Sequence, residues 1–347
     1  MARQADAIRV AVNGYGVIGK RVADAVVAQK DMVLVGVADI ATDWRVRMAR
    51  RKGYRLFASA DDRVEAMNSA GLEVAGTLDD LLKDAEVIVD CTPKGMPARN
   101  LNRYRDQGVK FIVQGGEKHD LTGHSFVAEV TYASALGRAA TRVVSCNTTS
   151  VVRTLTSLKR AGLLGQARGT LLRRATDPWE SHKGGIMNTL VPEDEIPSHQ
   201  GPDAQTVDPE LDVVTMAVKV PENLAHLHYW VVQLSRKADR EEVLAAFRSS
   251  SRIAMVEARE GQTAINTLKE LMGDMGRSRQ DLYEVALWQD LVTVRGNEVF
   301  YTYMVDNQAI VIPETIDAIR ALTSRETDLS VSIASTNAAL NIGSGHF

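Results

Sequence analysis

The sequence predicts an α/β fold in two parts, and three observations carry that reading. The first 150 residues alternate short apolar runs with stretches of helical periodicity, the pattern of parallel βαβ units in a doubly wound sheet. Beyond residue 170 the runs lengthen and close on a hairpin turn, which predicts an α+β domain with a mostly antiparallel sheet. The third observation is a set of glycines, Gly14, Gly16 and Gly19, at the first strand-to-helix junction.

Element by element, residues 8–12 form a β-branched run, and residues 20–29 place Val22, Ala25 and Val26 on one helical face. Residues 33–37, 87–89, 111–113 and 143–144 supply further strands of the first sheet. In the second half, residues 213–220 and 227–234 read as longer strands, and residues 183–203 as a polar insertion bearing Pro and Gly. Helical spacing recurs over 241–249 and 264–272. Residues 291–294 and 299–304 are joined by Arg-Gly-Asn-Glu as a hairpin. The tail, residues 313–339, keeps Ile316, Ile319, Leu322 and Ile333 at helical spacing and predicts one long helix returning to the first domain. The expected division is a dinucleotide-binding domain over 1–145, completed by a C-terminal helix over 313–347, and a catalytic domain over 146–312.

Composition narrows the function. The chain has 347 residues, and Lys+Arg 41 against Asp+Glu 44 gives a net charge of −3, so no global basic field marks a nucleic-acid or membrane-surface binder. No apolar run approaches the roughly 18 residues of a spanning helix. The polar N-terminus runs directly into a strand pattern without an apolar signal core, which predicts a cytoplasmic protein. Two cysteines, Cys91 and Cys146, are too few for a disulfide scaffold or a cysteine-cluster zinc site, and no metal is expected.

Asn-Gly-Tyr-Gly-Val-Ile-Gly, residues 13–19, has the dinucleotide spacing: the first Gly for a tight turn, the second for backbone approach to a pyrophosphate, the third for helix–strand packing. The pyrophosphate would sit on the helix N-terminus. Asp39 closes the second strand about 20 residues later, where an acid accepts from the adenosine ribose and repels a 2′-phosphate. That favours NAD over NADP. Arg45, Arg47, Arg50 and Arg51 follow closely; a solvated helix face is their plainer reading, and a hold on that phosphate the other.

Cys146 stands between an apolar strand and a helix start, where a helix dipole favours the thiolate of a nucleophile. Asn147 and the backbone N–H groups after it could donate to an oxyanion. Cys91, ending a strand in the nucleotide half, reads as structural. A nucleophilic cysteine with a nicotinamide implies aldehyde oxidation through a hemithioacetal and a thioester. A base must take the hydroxyl proton. His226 and His228 alternate on a strand and share one face; with no third ligand in view, a base with a neighbour is preferred to a metal pair.

At this point the residues resemble the archaeal-type (type II) glyceraldehyde-3-phosphate dehydrogenases. The resemblance is carried by residues 12–25, Val-Asp-Cys-Thr-Pro-Lys-Gly at 89–95, Val-Gln-Gly-Gly-Glu-Lys-His at 113–119 and Ser-Cys-Asn-Thr-Thr at 145–149. Arg-Arg-Ala-Thr-Asp-Pro at 173–178, Pro-Ser-His-Gln-Gly-Pro-Asp at 197–203 and Ile-Pro-Glu-Thr-Ile-Asp-Ala-Ile-Arg-Ala at 312–321 continue it in order.

The resemblance implies phosphorylating oxidation of glyceraldehyde 3-phosphate, with inorganic phosphate as second substrate, in a homotetramer. It puts the nucleophile on Cys146, the catalytic histidine on His226 with His228 left open, and Ser145, Asn147 and Thr148 around the aldehyde. Val17, Ile18, Gly116 and Arg174 fall on dinucleotide contacts, and Asn307 or Gln308 on the nicotinamide carboxamide. His199-Gln200 stands where the family has two histidines near the substrate. Arg173 and Arg174, adjacent on a strand, would meet the phosphate and the cofactor respectively. Lys183 and His182 are further candidates, and Lys-Gly-Gly-Ile-Met-Asn at 183–188 departs from the family's Lys-Gly-Pro-Ile-Asn. Two other readings stand beside this one. One is a relative acting on another phosphorylated or semialdehyde substrate; the other is a non-catalytic nucleotide-binding protein with a regulatory or RNA-binding role.

Overall fold

The computed structural model describes residues 6–343 apart from Gly115, residues 179–181, Lys183 and Gly184. Lys183 and the Gly184 departure, and the end of the expected tail helix beyond 343, therefore lie outside the described residues. Two compact units result: Met1–Ser145 with Ile312–Leu340, and Cys146–Val311 with the residues after Leu340.

The first unit is built on seven strands: β1 (Ile8–Asn13), β2 (Met32–Asp39), β3 (Leu56–Ala58), β4 (Val87–Asp90), β5 (Lys110–Val113), β6 (Ser125–Phe126) and β7 (Ala140–Val143). Their order is β3-β2-β1-β4-β5-β7-β6, and each pairing is parallel. The strand order reverses between β1 and β4, the place where open α/β sheets bind ligands beyond their carboxyl ends. Helices α1 (Val17–Ala28), α2 (Trp44–Arg51), α3 (Val64–Ser69), α4 (Leu78–Asp84), α5 (Met96–Asp106) and α6 (Ala128–Ala135) connect the strands. Their starts are chemically marked. Asp43 caps α2 by accepting from the Arg45 backbone N–H, and Thr77 and Asp80 form a reciprocal capping box at α4. Phe57, Leu81, Tyr104 and Phe111 are buried in one cluster, each worth about 1.5–3 kcal/mol on burial.

At the switch point, Asn13 and Asp90 are fully buried and need partners. The Asn13 side-chain amide donates to the Tyr104 hydroxyl at 2.9 Å, which donates to Asp90 Oδ2 at 2.6 Å. The loop after β1 is thus set on a satisfied polar floor.

The tail differs from the expected single helix. It forms two, Val311–Thr323 and Leu329–Leu340, broken at Ser324, whose φ is +53°. Asp328 accepts from the Ser330 backbone N–H at 2.7 Å and so starts the second helix. Arg320 ties the tail to the sheet: its guanidinium donates to Asp31 at 2.7 and 2.9 Å, to Gln29 at 2.8 Å and to Thr336 at 2.6 Å.

The second unit holds β8 (Leu164–Arg174), β9 (Val191–Pro192), β10 (Val213–Val220), β11 (His226–Leu234), β12 (Ile253–Val256), β13 (Val285–Trp288), β14 (Thr293–Arg295) and β15 (Glu298–Val305). The order is β12-β13-β15-β11-β8-β10-β9, with β14 on β15. Two pairings, β8 with β10 and β12 with β13, are parallel; the others are antiparallel. The helices are α7 (Cys146–Arg160), α8 (Gln200–Gln205), α9 (Arg240–Arg248) and α10 (Ile265–Asp274). α7 packs on β8 and β15 and is buried along nearly its whole length. Along β11 burial alternates, so His226, His228 and Trp230 face inward while Tyr229 faces out.

Candidate active site

Cys146 is the first residue of α7, at the end whose N–H groups lack intrahelical partners, and the Asn147 N–H acts on its sulfur. Its Sγ lies 3.5 Å from Nε2 of His226. The antiparallel register of β11 on β8 brings the Arg174 backbone N–H to the other ring nitrogen, where it donates to Nδ1 at 3.0 Å. A neutral imidazole has one donor and one acceptor nitrogen. With Nδ1 accepting, the ring proton sits on Nε2 and points at the sulfur.

His228, left open as an alternative by the sequence, spends both ring nitrogens on other partners. Its Nε2 faces Asn147 Oδ1 at 2.9 Å and its Nδ1 the Tyr303 hydroxyl at 3.0 Å. Since Oδ1 can only accept, His228 donates from Nε2 and accepts from Tyr303. The Asn147 amide is thereby fixed with its NH2 group on the side away from His228.

Both rings are held neutral. Burial first, then the electrostatic effect of Arg174, of a proton on His228 and of Arg173, push His226 well below its ordinary value. Burial and then Arg173 push His228 down to about 3. Burial also raises the Cys146 thiol, with Arg174, the Asn147 backbone N–H and Arg173 pulling the other way. The surroundings therefore do not favour an imidazolium beside the thiolate; the positive charge nearby is that of the arginines.

Arg173 and Arg174 end β8, and each meets an acid that sequence reading did not single out. Arg174 pairs with Asp177 at 3.1 Å. The same carboxylate oxygen accepts from Asn307 Nδ2 at 3.1 Å and Gln308 Nε2 at 3.1 Å. The adjacent Asp306 holds this loop by accepting from Lys269 Nζ at 2.7 Å and the Gln308 and Ala309 N–H groups at 2.9 and 3.2 Å. Arg173 pairs with Glu193. Thr148 donates to Asp203 on α8 at 2.7 Å. Gln200 is fully buried, and its Nε2 lies 3.2 Å from His199 Nε2.

Arg173 Nε, Arg174 Nε, Gln200 Oε1 and Asn307 Oδ1 are buried with no hydrogen-bond partner. Such atoms cost about 1–3 kcal/mol each unless something fills them. These four are among twelve such side-chain atoms in the described residues and fall on residues the sequence assigned to substrate and cofactor. Asn307 Oδ1 is an acceptor whose companion nitrogen is already spent on Asp177, which suits the NH2 of a carboxamide.

In the first unit, Gly14 has φ +89°, and a Cβ there would meet the Cys91 carbonyl carbon at 2.8 Å. A Cβ on Gly19 would strike the Gly14 carbonyl oxygen at 1.8 Å. Of the three, Gly16, at the N-cap of α1, has nothing within 4 Å of where a Cβ would stand. Val17 and Ile18 open α1. Asp39 accepts from the N–H groups of Tyr15 at 2.7 Å, Ile40 at 2.7 Å and Ala41 at 2.8 Å, so it clamps the glycine loop as well as lying at the end of β2. Arg45 pairs with Asp43 and Arg50 with Glu73, while Arg47 donates to the Ala70 carbonyl at 2.9 Å. Beside Gly116, Gln114 leaves Oε1 buried and unpartnered; the motif at 113–119 contained it without marking it. Ser145 is the last residue of the first unit's N-terminal stretch.

A nucleotide-type α/β unit and a unit carrying a cysteine–histidine pair at a helix start fit one class: a nicotinamide-dependent oxidoreductase. Residues 145–290 match the model of the glyceraldehyde 3-phosphate dehydrogenase C-terminal domain, and residues 8–121 that of the dihydrodipicolinate reductase N-terminus. Relatives named glyceraldehyde-3-phosphate dehydrogenase come from Methanobrevibacter smithii, 44% identical over 96% of this chain and 99% of that protein, and Methanothermus fervidus, 41% over 96% and 98%. A third, from Metallosphaera sedula, is 44% identical over 98% of this chain and 99% of its own. The chain belongs to the glyceraldehyde-3-phosphate dehydrogenase family, and it is an NAD(P)-dependent oxidoreductase.

Proposed function

We propose that the chain oxidises glyceraldehyde 3-phosphate to the acyl phosphate, with Cys146 as nucleophile and His226 as the donor that serves it. The contact of Cys146 Sγ with His226 Nε2, set by the Arg174 N–H on Nδ1, carries the reading. The thiol loses its proton to solvent, and the thiolate accepts from Nε2–H. Sulfur attacks the aldehyde carbon, and the carbonyl oxygen becomes an anion that takes over the Nε2–H bond, with the Asn147 amide as second donor. The oxidised nicotinamide, when bound, supplies the hydride acceptor. Loss of hydride from the hemithioacetal carbon leaves a thioester on Cys146. Inorganic phosphate then attacks the thioester carbon and expels the thiolate back onto Nε2–H.

Arg173 and His199 would hold a phosphate group, with Ser145, Thr148 and Gln200 lining the substrate side. Gly14, Gly16, Val17, Ile18, Gly19, Asp39 and Gly116 would take the adenosine and pyrophosphate, and Arg174, Asn307 and Gln308 the nicotinamide end. NAD is favoured over NADP, because an acid, Asp39, closes β2, while three of the four arginines that follow, Arg45, Arg47 and Arg50, have partners of their own. The test is cofactor reduction by glyceraldehyde 3-phosphate with and without inorganic phosphate. Turnover should require both, and sustained turnover without phosphate would overturn the phosphorylating reading.

A cytoplasmic homotetramer completes the proposal. Among the described residues no helix is long and apolar enough to cross a membrane. The outward face of the second sheet bares Tyr229 (51% exposed), Met216 (44%) and nearby Leu291 (50%), apolar surface that a second copy would cover. Sedimentation of the purified chain distinguishes monomer from tetramer.

A further inference from the structure

Glu193 follows β9, whose pairing with Val218 and Lys219 of β10 holds it in place; its N–H donates to the Ala217 carbonyl at 2.9 Å. Its side chain is only 16% exposed. One carboxylate oxygen takes Arg173 Nη1, and the other lies 3.2 Å from His199 Nδ1. The Gln200 amide nitrogen faces the second His199 nitrogen, so that nitrogen accepts and Nδ1 carries the proton donated to Glu193. Two oxygens of one anion thus bridge a guanidinium and an imidazole N–H, as two oxygens of a phosphate group would. Arg173 Nε stays buried without an acceptor, so the carboxylate does not exhaust the guanidinium.

We propose that Glu193 is the built-in occupant of the phosphate subsite formed by Arg173 and His199, and that its carboxylate sets that subsite's affinity for phosphate. The inference rests on the assignment of Arg173 to a phosphate group above. A phosphate group enters by taking over donors that Glu193 holds, so binding is an exchange of one anion for another. Removing the carboxylate's charge leaves both donors in place and removes the competitor.

The experiment compares Glu193→Gln, Glu193→Asp and the parent enzyme on three readouts: KM for inorganic phosphate, kcat/KM for glyceraldehyde 3-phosphate relative to unphosphorylated glyceraldehyde, and inhibition by sulfate. Glu193→Gln should tighten phosphate or the phosphorylated aldehyde, together with sulfate, by about tenfold, equivalent to about 1.4 kcal/mol. Glu193→Asp, whose shorter carboxylate retreats from the two donors, should fall between. A change confined to inorganic phosphate assigns the subsite to the attacking anion; one confined to the aldehyde ratio assigns it to the substrate's own phosphate. A purely structural role for Glu193 would weaken both aldehydes equally and leave sulfate inhibition unchanged, and that result overturns the proposal. Arg173→Gln should lose the preference for whichever phosphate is held. If it does not, the subsite assignment itself fails and the proposal falls with it. If it does while Glu193→Gln changes nothing, the proposal alone falls.

Discussion

Replacing His226 separates two roles that share one position. A positioned base is worth roughly 10²–10⁴-fold, and an oxyanion donor about 10²–10³-fold, so His226→Ala loses two or more powers of ten under either role. His226→Gln discriminates. Its amide nitrogen lies near the place of Nε2 and can donate to sulfur or oxyanion, but the amide cannot take a proton. With Nδ1 occupied by the Arg174 N–H, the ring has no vacant acceptor to act as base without giving up that bond. His226→Gln should therefore retain activity within about thirtyfold of the parent, because a donor is kept; the unpaired Arg174 amide lowers stability, by about 1–3 kcal/mol, rather than rate. The assay is the pre-steady-state burst of reduced cofactor at saturating aldehyde, followed across pH. Because burial raises the Cys146 thiol, the acylation rate should climb with pH as thiolate forms, and the same limb should persist in His226→Gln. Equal collapse of the Gln and Ala variants, or a limb lost with the imidazole, would refute the donor role.

Cys146→Ser should abolish dehydrogenase activity, by several powers of ten, while leaving cofactor affinity nearly unchanged; more than about 1% residual activity would exclude the thiol as nucleophile. Wild-type kcat/KM should favour NAD, and Asp39→Asn should narrow that preference while raising KM for NAD, since the amide offers one acceptor oxygen where three backbone N–H groups now bind two. A tenfold wild-type preference for NADP would sink that reading. Arg320→Leu should cost about 3–5 kcal/mol in denaturant unfolding, because the fully buried Asp317 loses its cation. Burial alone would raise Asp31, but the Arg320 hydrogen bonds and charge leave its carboxyl below the ordinary range. Asp31→Asn should therefore destabilise at neutral pH, and the difference from the parent should shrink as the pH falls below about 4 and vanish once the native carboxyl is protonated.

The parallel sheet was legible where apolar runs were long. β3 and β6 span three and two residues, too few for any periodicity, and exist because neighbouring strands offer them an edge. The tail kept helical spacing through Ser324, so periodicity missed a break made by one left-handed residue and an Asp328 cap. β8 read as a strand only at its end, and its parallel partner β10 lies some forty residues on, a pairing no local pattern carries. In the site, residue types at a strand–helix junction pointed to Cys146, and alternation put His226 and His228 on one face. Which ring meets the sulfur depends on register, and register is tertiary. Asp177 and Glu193 were invisible for a related reason: acids near arginines read as surface pairs, and only the folded loops show what they hold.

The state of the thiol follows from what is and is not beside His226. A buried imidazole gains a proton when a carboxylate faces it; His226 instead faces a backbone N–H and the charges of Arg174 and Arg173. An imidazolium there would put three cations together in a desolvated space and set an Nδ1–H against an N–H. On the proposed mechanism the ring acts as a fixed dipole, and guanidinium charge acting from β8 offsets part of the burial cost of the thiolate. Those guanidiniums are themselves countered by Glu193 and Asp177. The ionisation of the proposed nucleophile is thus adjustable from Glu193 and Asp177, which act on it through the arginines. Neutralising either acid leaves more arginine charge to favour the sulfur anion, whereas moving the histidine's own ionisation would change little, because the ring is neutral throughout.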